Sequence, residues 1–436
     1  MKFEAPAPNV VPLGHRENEG RVHYLPILGS ALVLRSLFAL SVARGDPRVW
    51  FFNQASEYGC LAQSLLSGHG YASPFCGSTG PSAFLAPGYP LLVAAAFRLF
   101  GAYSMQAAAA LISLQVLVGI LIVLTVMLLA KRLLGTTAAN LAGVLCAISP
   151  PAVCLPILFW ETSLSMLLLT GIILLALRCA NRPSNWRWLG FGAYCAVAMF
   201  VNPSLLLTFA AVFIWMIWQT GISRLRGPAL ALLTWCMIFS IWPIRNAYRL
   251  HAFVPLRTNL GYELWQGNRP GSDGTFTVAL HPNKNNNEFV HYAHLGEAAY
   301  MQEKSELAIE AIKADKSRFV RLSLERFRKF WINSADSKSS SLLAMNILFT
   351  SLMSAVGLGL LFLRRNPVAW LLAIPFAILP APYYLTHADF RFRLLLDPLA
   401  ILLTAYVFKE LSGRVRSHLR AKARGSVVAT QLPART

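Results

Sequence analysis

The chain has 436 residues, 56% of them hydrophobic and 13% charged, a balance too apolar for a soluble domain and expected of a polytopic membrane protein. A formal charge of +20 would suit a nucleic-acid binder, but the basic residues are scattered in short clusters between apolar runs, which argues against nucleic acid as a partner. They read instead as topology signals.

Residues 1–24 form a polar, proline-containing tail without a cleavable leader, so the first apolar run, 25–42, is expected to be retained as a span. The loop that follows, 44–104, holds more than a connector needs. Tyr58, Leu61, Ala62, Leu65 and Leu66 fall at helical spacing with Glu57 in the first turn, which predicts a short helix in the interfacial plane. The loop bends at Gly68-His69-Gly70, and Pro74, Pro81, Pro87 and Pro90 rule out one continuous helix. Cys60 and Cys76 lie here, and an oxidising compartment would allow them to pair, although connectivity is not read from sequence. The other five cysteines sit in or beside apolar runs, as small buried hydrophobes do.

Further apolar runs at 105–130, 138–148, 155–177, 189–201, 205–218, 229–244, 342–363, 368–384 and 394–408 bring the expected number of spans to about ten. They divide the chain into an N-terminal transmembrane module (25–244), a polar segment with an amphipathic helix (245–341), C-terminal spans (342–411) and a basic tail (412–436). With the N-terminus in the cytoplasm, Lys131-Arg132, the 178–187 loop, Arg224 with Arg226, Arg364-Arg365 and the C-terminal basic residues all fall inside. The loops at 44–104, 150–161, 202–203, 245–341 and 387–393 then share the other face. The unusual polar motifs converge there, which is the main argument for a site at the external membrane surface. Between Glu297 and Trp331 an apolar stripe predicts a helix along that surface, with Arg326, Arg328 and Lys329 near the headgroups.

Several residues on this face could carry chemistry. Glu57 suits a general base, a role worth about 10²–10⁴ in rate, against the plainer role of a carboxylate at a helix N-terminus. Glu161, in Phe159-Trp160-Glu161, is an ionisable group at the edge of an apolar run, where such groups are costly enough to suggest function; a snorkelling carboxylate is the alternative. Arg245 and Asn246 end a span, and a guanidinium fork suits phosphate, although arginines also snorkel there. Arg391 and Arg393, flanked by aromatic residues after His387, are a second cationic group, or else interface anchors. His291 and His294 are weak evidence for metal on their own.

The Glu57-Tyr58 pair, the Gly68-His69-Gly70-Tyr71 bend, Pro87-Gly88-Tyr89-Pro90 and Pro243-Ile244-Arg245-Asn246 together resemble the GT-C glycosyltransferases, in particular the protein O-mannosyltransferase and lipid A aminoarabinose transferase-like family. Ser56 stands at that family's usual catalytic aspartate position, and Arg245 is one residue closer to its proline than in the family's signature. The resemblance implies an all-α GT-C-like bundle that moves a sugar from a polyprenyl-phosphate donor to a glycan, lipid or protein acceptor on the non-cytoplasmic face, with inversion. It implies Glu57 and Glu161 as catalytic residues, and Tyr58, Tyr89, Arg245, Asn246, His387, Arg391 and Arg393 as substrate-binding residues. A divalent metal ion is optional, with no ligand set fixed by the sequence. The Ala- and Arg-rich composition suggests a bacterial inner membrane with a periplasmic site. The rivals are a lipid or glycolipid flippase, which would place its polar groups at mid-span, and a non-catalytic lipid-glycan binder.

Overall fold

The computed structural model describes residues 20–42, 56–221, 225–332 and 341–430. Most of the N-terminal tail, residues 43–55, Arg224 and the side chains of Ser56, Arg416, Arg420, Lys422 and Arg424 therefore lie outside the described residues. Those described form helices joined by turns and loops, with two isolated bridges, Ala72 to Pro81 and Thr275 to Ala388, in place of strands.

Among the described residues, six helices are long and apolar enough to cross a membrane: Tyr24–Val42, Met105–Leu134, Thr162–Asn181, Arg226–Leu250, Ser341–Leu363 and Val368–Leu385. A bent pair, Thr136–Ile148 with Pro150–Ile157, makes a seventh if counted as one broken span. The expected ten are not reached by this measure. The runs at 189–201 and 205–218 form helices of 17 and 16 residues, Asn185–Val201 and Leu205–Thr220, short of the roughly 20 that a span takes. The run at 394–408 opens a helix, Asp397–Thr430, whose residues from Leu399 to Val407 are all buried. This central helix packs against Ser341–Leu363, Thr136–Ile148, Met105–Leu134 and Thr162–Asn181.

Local chemistry explains where the helices stop. Met105–Leu134 begins on the Ser104 hydroxyl, which accepts from the Ala107 N–H, and ends at Gly135 with φ of 91°, a conformation glycine takes at little cost. Thr136–Ile148 stops before Pro150-Pro151, and the two helices of the broken pair meet at 55°. The carbonyls opened at that break are not left bare. Arg35, 1% exposed inside the first span, donates to Cys146 O and Ala147 O at 3.1 Å each. Its stem fits because Gly119 faces it, where a Cβ would lie 2.8 Å from the guanidinium nitrogen.

The two ends of the bundle differ in charge. At one end Arg132 shares its surroundings with Arg178, Arg182 and Arg187, Lys409 donates to Leu134 O, and Arg364 pairs with Glu410. At the other, the 56–104 loop packs onto the 245–301 segment through a cluster that includes Tyr71, Phe75, Phe84, Trp242, Tyr262 and Tyr292. Among the described residues these basic groups and that aromatic cluster thus lie at different ends of the bundle.

The amphipathic stripe is divided between two helices, Glu297–Ala314 and Lys316–Ile332, broken at extended Asp315. Arg326 is not at the headgroups as expected. It is 1% exposed and donates to the carbonyls of Gly267, Gly274, Tyr384 and Leu385 and to Asn268 Oδ1, because the backbone turns around it point those acceptors inward. Val320, Leu324 and Phe327 form the exposed face instead.

Candidate active site

The predicted interfacial helix forms as Ser56–Leu66 with Glu57 in its first turn, and a Cys60–Cys76 disulfide ties it to the loop beyond the bend. Its first two polar side chains face different partners. Tyr58 donates to Glu161 Oε2, and its ring meets Tyr89 edge-on with centroids 5.0 Å apart. Burial, then the Glu161 charge, pushes the Tyr58 phenol up, so it stays protonated and donating. Glu57 Oε1 accepts from Asn283 Nδ2 at 2.9 Å and lies 3.6 Å from His281 Nε2.

Glu161 precedes the Thr162–Asn181 helix, and its carbonyl accepts from the Ser165 hydroxyl, which in turn accepts from Asn202 Nδ2. The segment before it is held by Gln115, 3% exposed in an otherwise apolar helix, which donates to both Leu158 O and Tyr89 OH. One amide therefore fixes the tyrosine of Pro87-Gly88-Tyr89-Pro90 and the Trp160-Glu161 turn relative to each other.

Arg391 approaches from the far end of the sequence. Its guanidinium lies 4.6 Å from the centre of the Trp160 ring and 3.1 Å from Asp389 Oδ2, with 35% of the side chain exposed. Burial opposes its charge, but Asp389, then Glu161 and Tyr58, hold it above the ordinary arginine value. Asp389 is itself held below the usual carboxylate range, since Arg391 outweighs the penalty of burial. Arg257, half-buried with its Nε donating to Phe84 O, adds its charge at Tyr58 and Tyr383. Three distant parts of the chain thus bring carboxylates and guanidinium groups together around Tyr58.

The remaining expected residues are placed otherwise. Arg245 donates to Ser82 O and Tyr71 O at 2.6 Å each and to Asn246 Oδ1, so its fork is spent on this chain. Asn246 is buried and donates to Val254 O. Arg393 is 0% exposed and pairs with Asp397 at 2.7 Å, with Thr350 and Ser351 hydroxyls as further acceptors. His387 lies 3.3 Å from Glu263, between the rings of Phe276 and Phe392. Burial lowers its proton affinity against the pull of Glu263 and Asp389. Among the described residues no group of three or more His, Cys, Asp and Glu side chains is arranged to hold a metal ion. The sequence did not single out Arg257, His281, Glu297 or Gln115. Gln115 alone carried a signal, as an amide in a long apolar run.

This helical bundle, with its first loop and lateral helices at one end, is similar in fold to solved oligosaccharyltransferases. The structure of the archaeal oligosaccharyltransferase AglB from Archaeoglobus fulgidus, in complex with an inhibitory peptide and a dolichol-phosphate, is similar with a TM-score of 0.51 at 13% identity, over 95% of this chain and 52% of that one. The same organism's oligosaccharyltransferase tethered with an acceptor peptide gives 0.50 at 14%, over 91% and 50%. ArnT from Cupriavidus metallidurans bound to undecaprenyl phosphate gives 0.41 at 13%, over 89% and 78%. The chain spans about half the length of the oligosaccharyltransferases it matches, and at these identities the likeness is one of fold. No curated protein matches the chain in sequence. Residues 85–243 match the model of the dolichyl-phosphate-mannose-protein mannosyltransferase family, in agreement with the resemblance found in the sequence motifs.

Proposed function

We propose that the protein is a GT-C-type membrane glycosyltransferase that takes a sugar from a polyprenyl-phosphate donor and passes it, with inversion, to an acceptor on the non-cytoplasmic face. The observation that carries this reading is the convergence of the Glu57-Tyr58 helix end, the Glu161 turn and Arg391 at the end of the bundle opposite the basic clusters. The Cys60–Cys76 disulfide supports an oxidising compartment, and with it the periplasmic face of a bacterial inner membrane.

In this mechanism the acceptor hydroxyl gives its proton to Glu57 as its oxygen attacks the anomeric carbon. The bond from that carbon to the phosphate oxygen breaks, and the polyprenyl phosphate leaves with the electron pair. Arg391, backed by Trp160 and joined by Arg257, offsets the negative charge that grows on the departing phosphate. The Tyr58–Glu161 pair orients the acceptor. Arg245 and Arg393 take no part, because their donors are committed within the fold. The acceptor is a glycan, lipid or protein, and the supply of donor from the bilayer agrees with a site at its surface.

The test is transfer of labelled mannose from polyprenyl-phosphate mannose by the protein in liposomes carrying an envelope extract as acceptor. Glu57→Gln is expected to remove transfer. Wild-type rates in that variant would remove Glu57 as the base, and no transfer by the wild type above protein-free liposomes would leave a lipid carrier or binder as the better account.

A further inference from the structure

His281 stands in a setting that bracing does not require. Its imidazole is ringed by Phe75, Phe84, Tyr262 and Phe276, with ring centres 5.3, 6.0, 5.9 and 5.8 Å away. Only 9% of the side chain is exposed. Its Nε2 lies 3.6 Å from Glu57 Oε1.

The tautomer follows from the other nitrogen. His281 Nδ1 accepts the Asn283 backbone N–H at 3.3 Å, so in the neutral ring the proton is on Nε2, the atom 3.6 Å from Glu57 Oε1. Pro282 sits between the two residues and stiffens the turn, so the amide of Asn283 and its side chain act from one rigid unit. Both contacts fall on a single carboxylate oxygen. The disulfide then matters for geometry. Cys60 is on the helix of Glu57 and Cys76 follows Phe75, so the bond fixes a wall of the box to the helix that presents the carboxylate.

We propose that His281 is a positioning residue for Glu57, its Nε2–H and the Asn283 amide holding Oε1 so that the carboxylate keeps one orientation toward the acceptor. The proposal rests on Glu57 acting as the base. The groups that face the imidazole are Glu57 and Glu263, which favour its protonation, and Lys284, which opposes it. Burial outweighs the carboxylates and lowers the ring's proton affinity, so Nε2–H approaches Oε1 as a polar contact without a competing cation.

The full-length protein labelled with ¹⁵N-histidine tests the pair without turnover, with the His281 signals assigned by their loss in His281→Gln. The expected result is a neutral ring protonated on Nε2 whose titration midpoint falls further in Glu57→Gln. A ring protonated on Nδ1, or a midpoint that Glu57→Gln leaves unmoved, overturns the proposal. In the mannose-transfer assay His281→Phe, which keeps the aromatic packing, is expected to lower kcat by about tenfold to a hundredfold with donor KM unchanged. His281→Gln, which places an N–H near the same point, should recover most of the loss. Equal loss in both variants, or none in His281→Phe, also overturns it. Wild-type turnover in Glu57→Gln overturns the catalytic reading of Glu57 separately, since the tautomer and the midpoint still report whether the pair exists.

Discussion

Arg245 holds Tyr71 from two sides: Nη2 donates to its backbone carbonyl at 2.6 Å, and the guanidinium lies 5.5 Å from the centre of its ring. The same fork reaches Ser82 O, so one arginine at a span end pins both strands of the bend at Gly68 to Pro87. Arg245→Lys keeps the charge and loses the fork, so one of the two charge-assisted bonds to Ser82 O and Tyr71 O is lost, at a cost of about 1.5–3 kcal/mol. The expected outcome is a lower melting temperature in detergent with donor KM unchanged. A raised donor KM without loss of stability would return Arg245 to the phosphate role that its position in the sequence suggested.

Arg391 should behave in the opposite way. Its partners leave part of the guanidinium exposed beside Tyr58, so Arg391→Lys is expected to raise donor KM and lower kcat while melting changes little. Steady-state kinetics with polyprenyl-phosphate mannose, set beside a thermal melt of the same preparation, separates the two effects.

The contrast between these arginines shows what the sequence could convey. The fold class was legible because apolar runs of span length are a one-dimensional signal; Glu57 and Glu161 stood out because charge next to an apolar run is unusual, and Tyr58 only through the family resemblance. Which arginine faces a ligand depends on backbone carbonyls that turn toward it in three dimensions. Gly267, Gly274 and Tyr384 claim Arg326 in this way, and Asp397 claims Arg393. Span number is less legible, because a run such as 394–408 is equally apolar whether it meets lipid or, as here, is packed among other helices.

The Cys60–Cys76 link closes a loop of 16 residues that contains the whole bend. Chain-entropy reasoning assigns such a loop about 3 kcal/mol, as an order of magnitude. Cys60→Ser and reduction of the wild type should therefore lower the melting temperature alike, and Cys60→Ser should be indifferent to reductant. Thermal melts with and without dithiothreitol check this directly.

Buried titratable groups at the site also set how stability responds to acid. His281 and His387 have proton affinities lowered by burial, so the unfolded chain binds their protons more tightly than the folded one. Their contribution is complete above the ordinary histidine range and is lost as pH falls through it toward their folded values. Asp389, held below the usual carboxylate range by Arg391, acts in the same direction at lower pH: its contribution is present above the unfolded value and lost as pH falls through the folded one. Glu297 acts in the opposite sense. Burial raises its carboxyl despite hydrogen bonds from Ser82, Tyr292, Ala83 and Thr258, so its contribution is greatest in acid and declines as pH rises through its folded value. The wild-type melting temperature should thus begin to fall on acidification through the histidine range. The difference between wild type and His281→Gln/His387→Gln isolates the histidine part from the carboxylates, and it should shrink as pH is lowered through that range. A difference that stays constant, or grows toward acid, would mean that these rings are not held neutral in the folded protein.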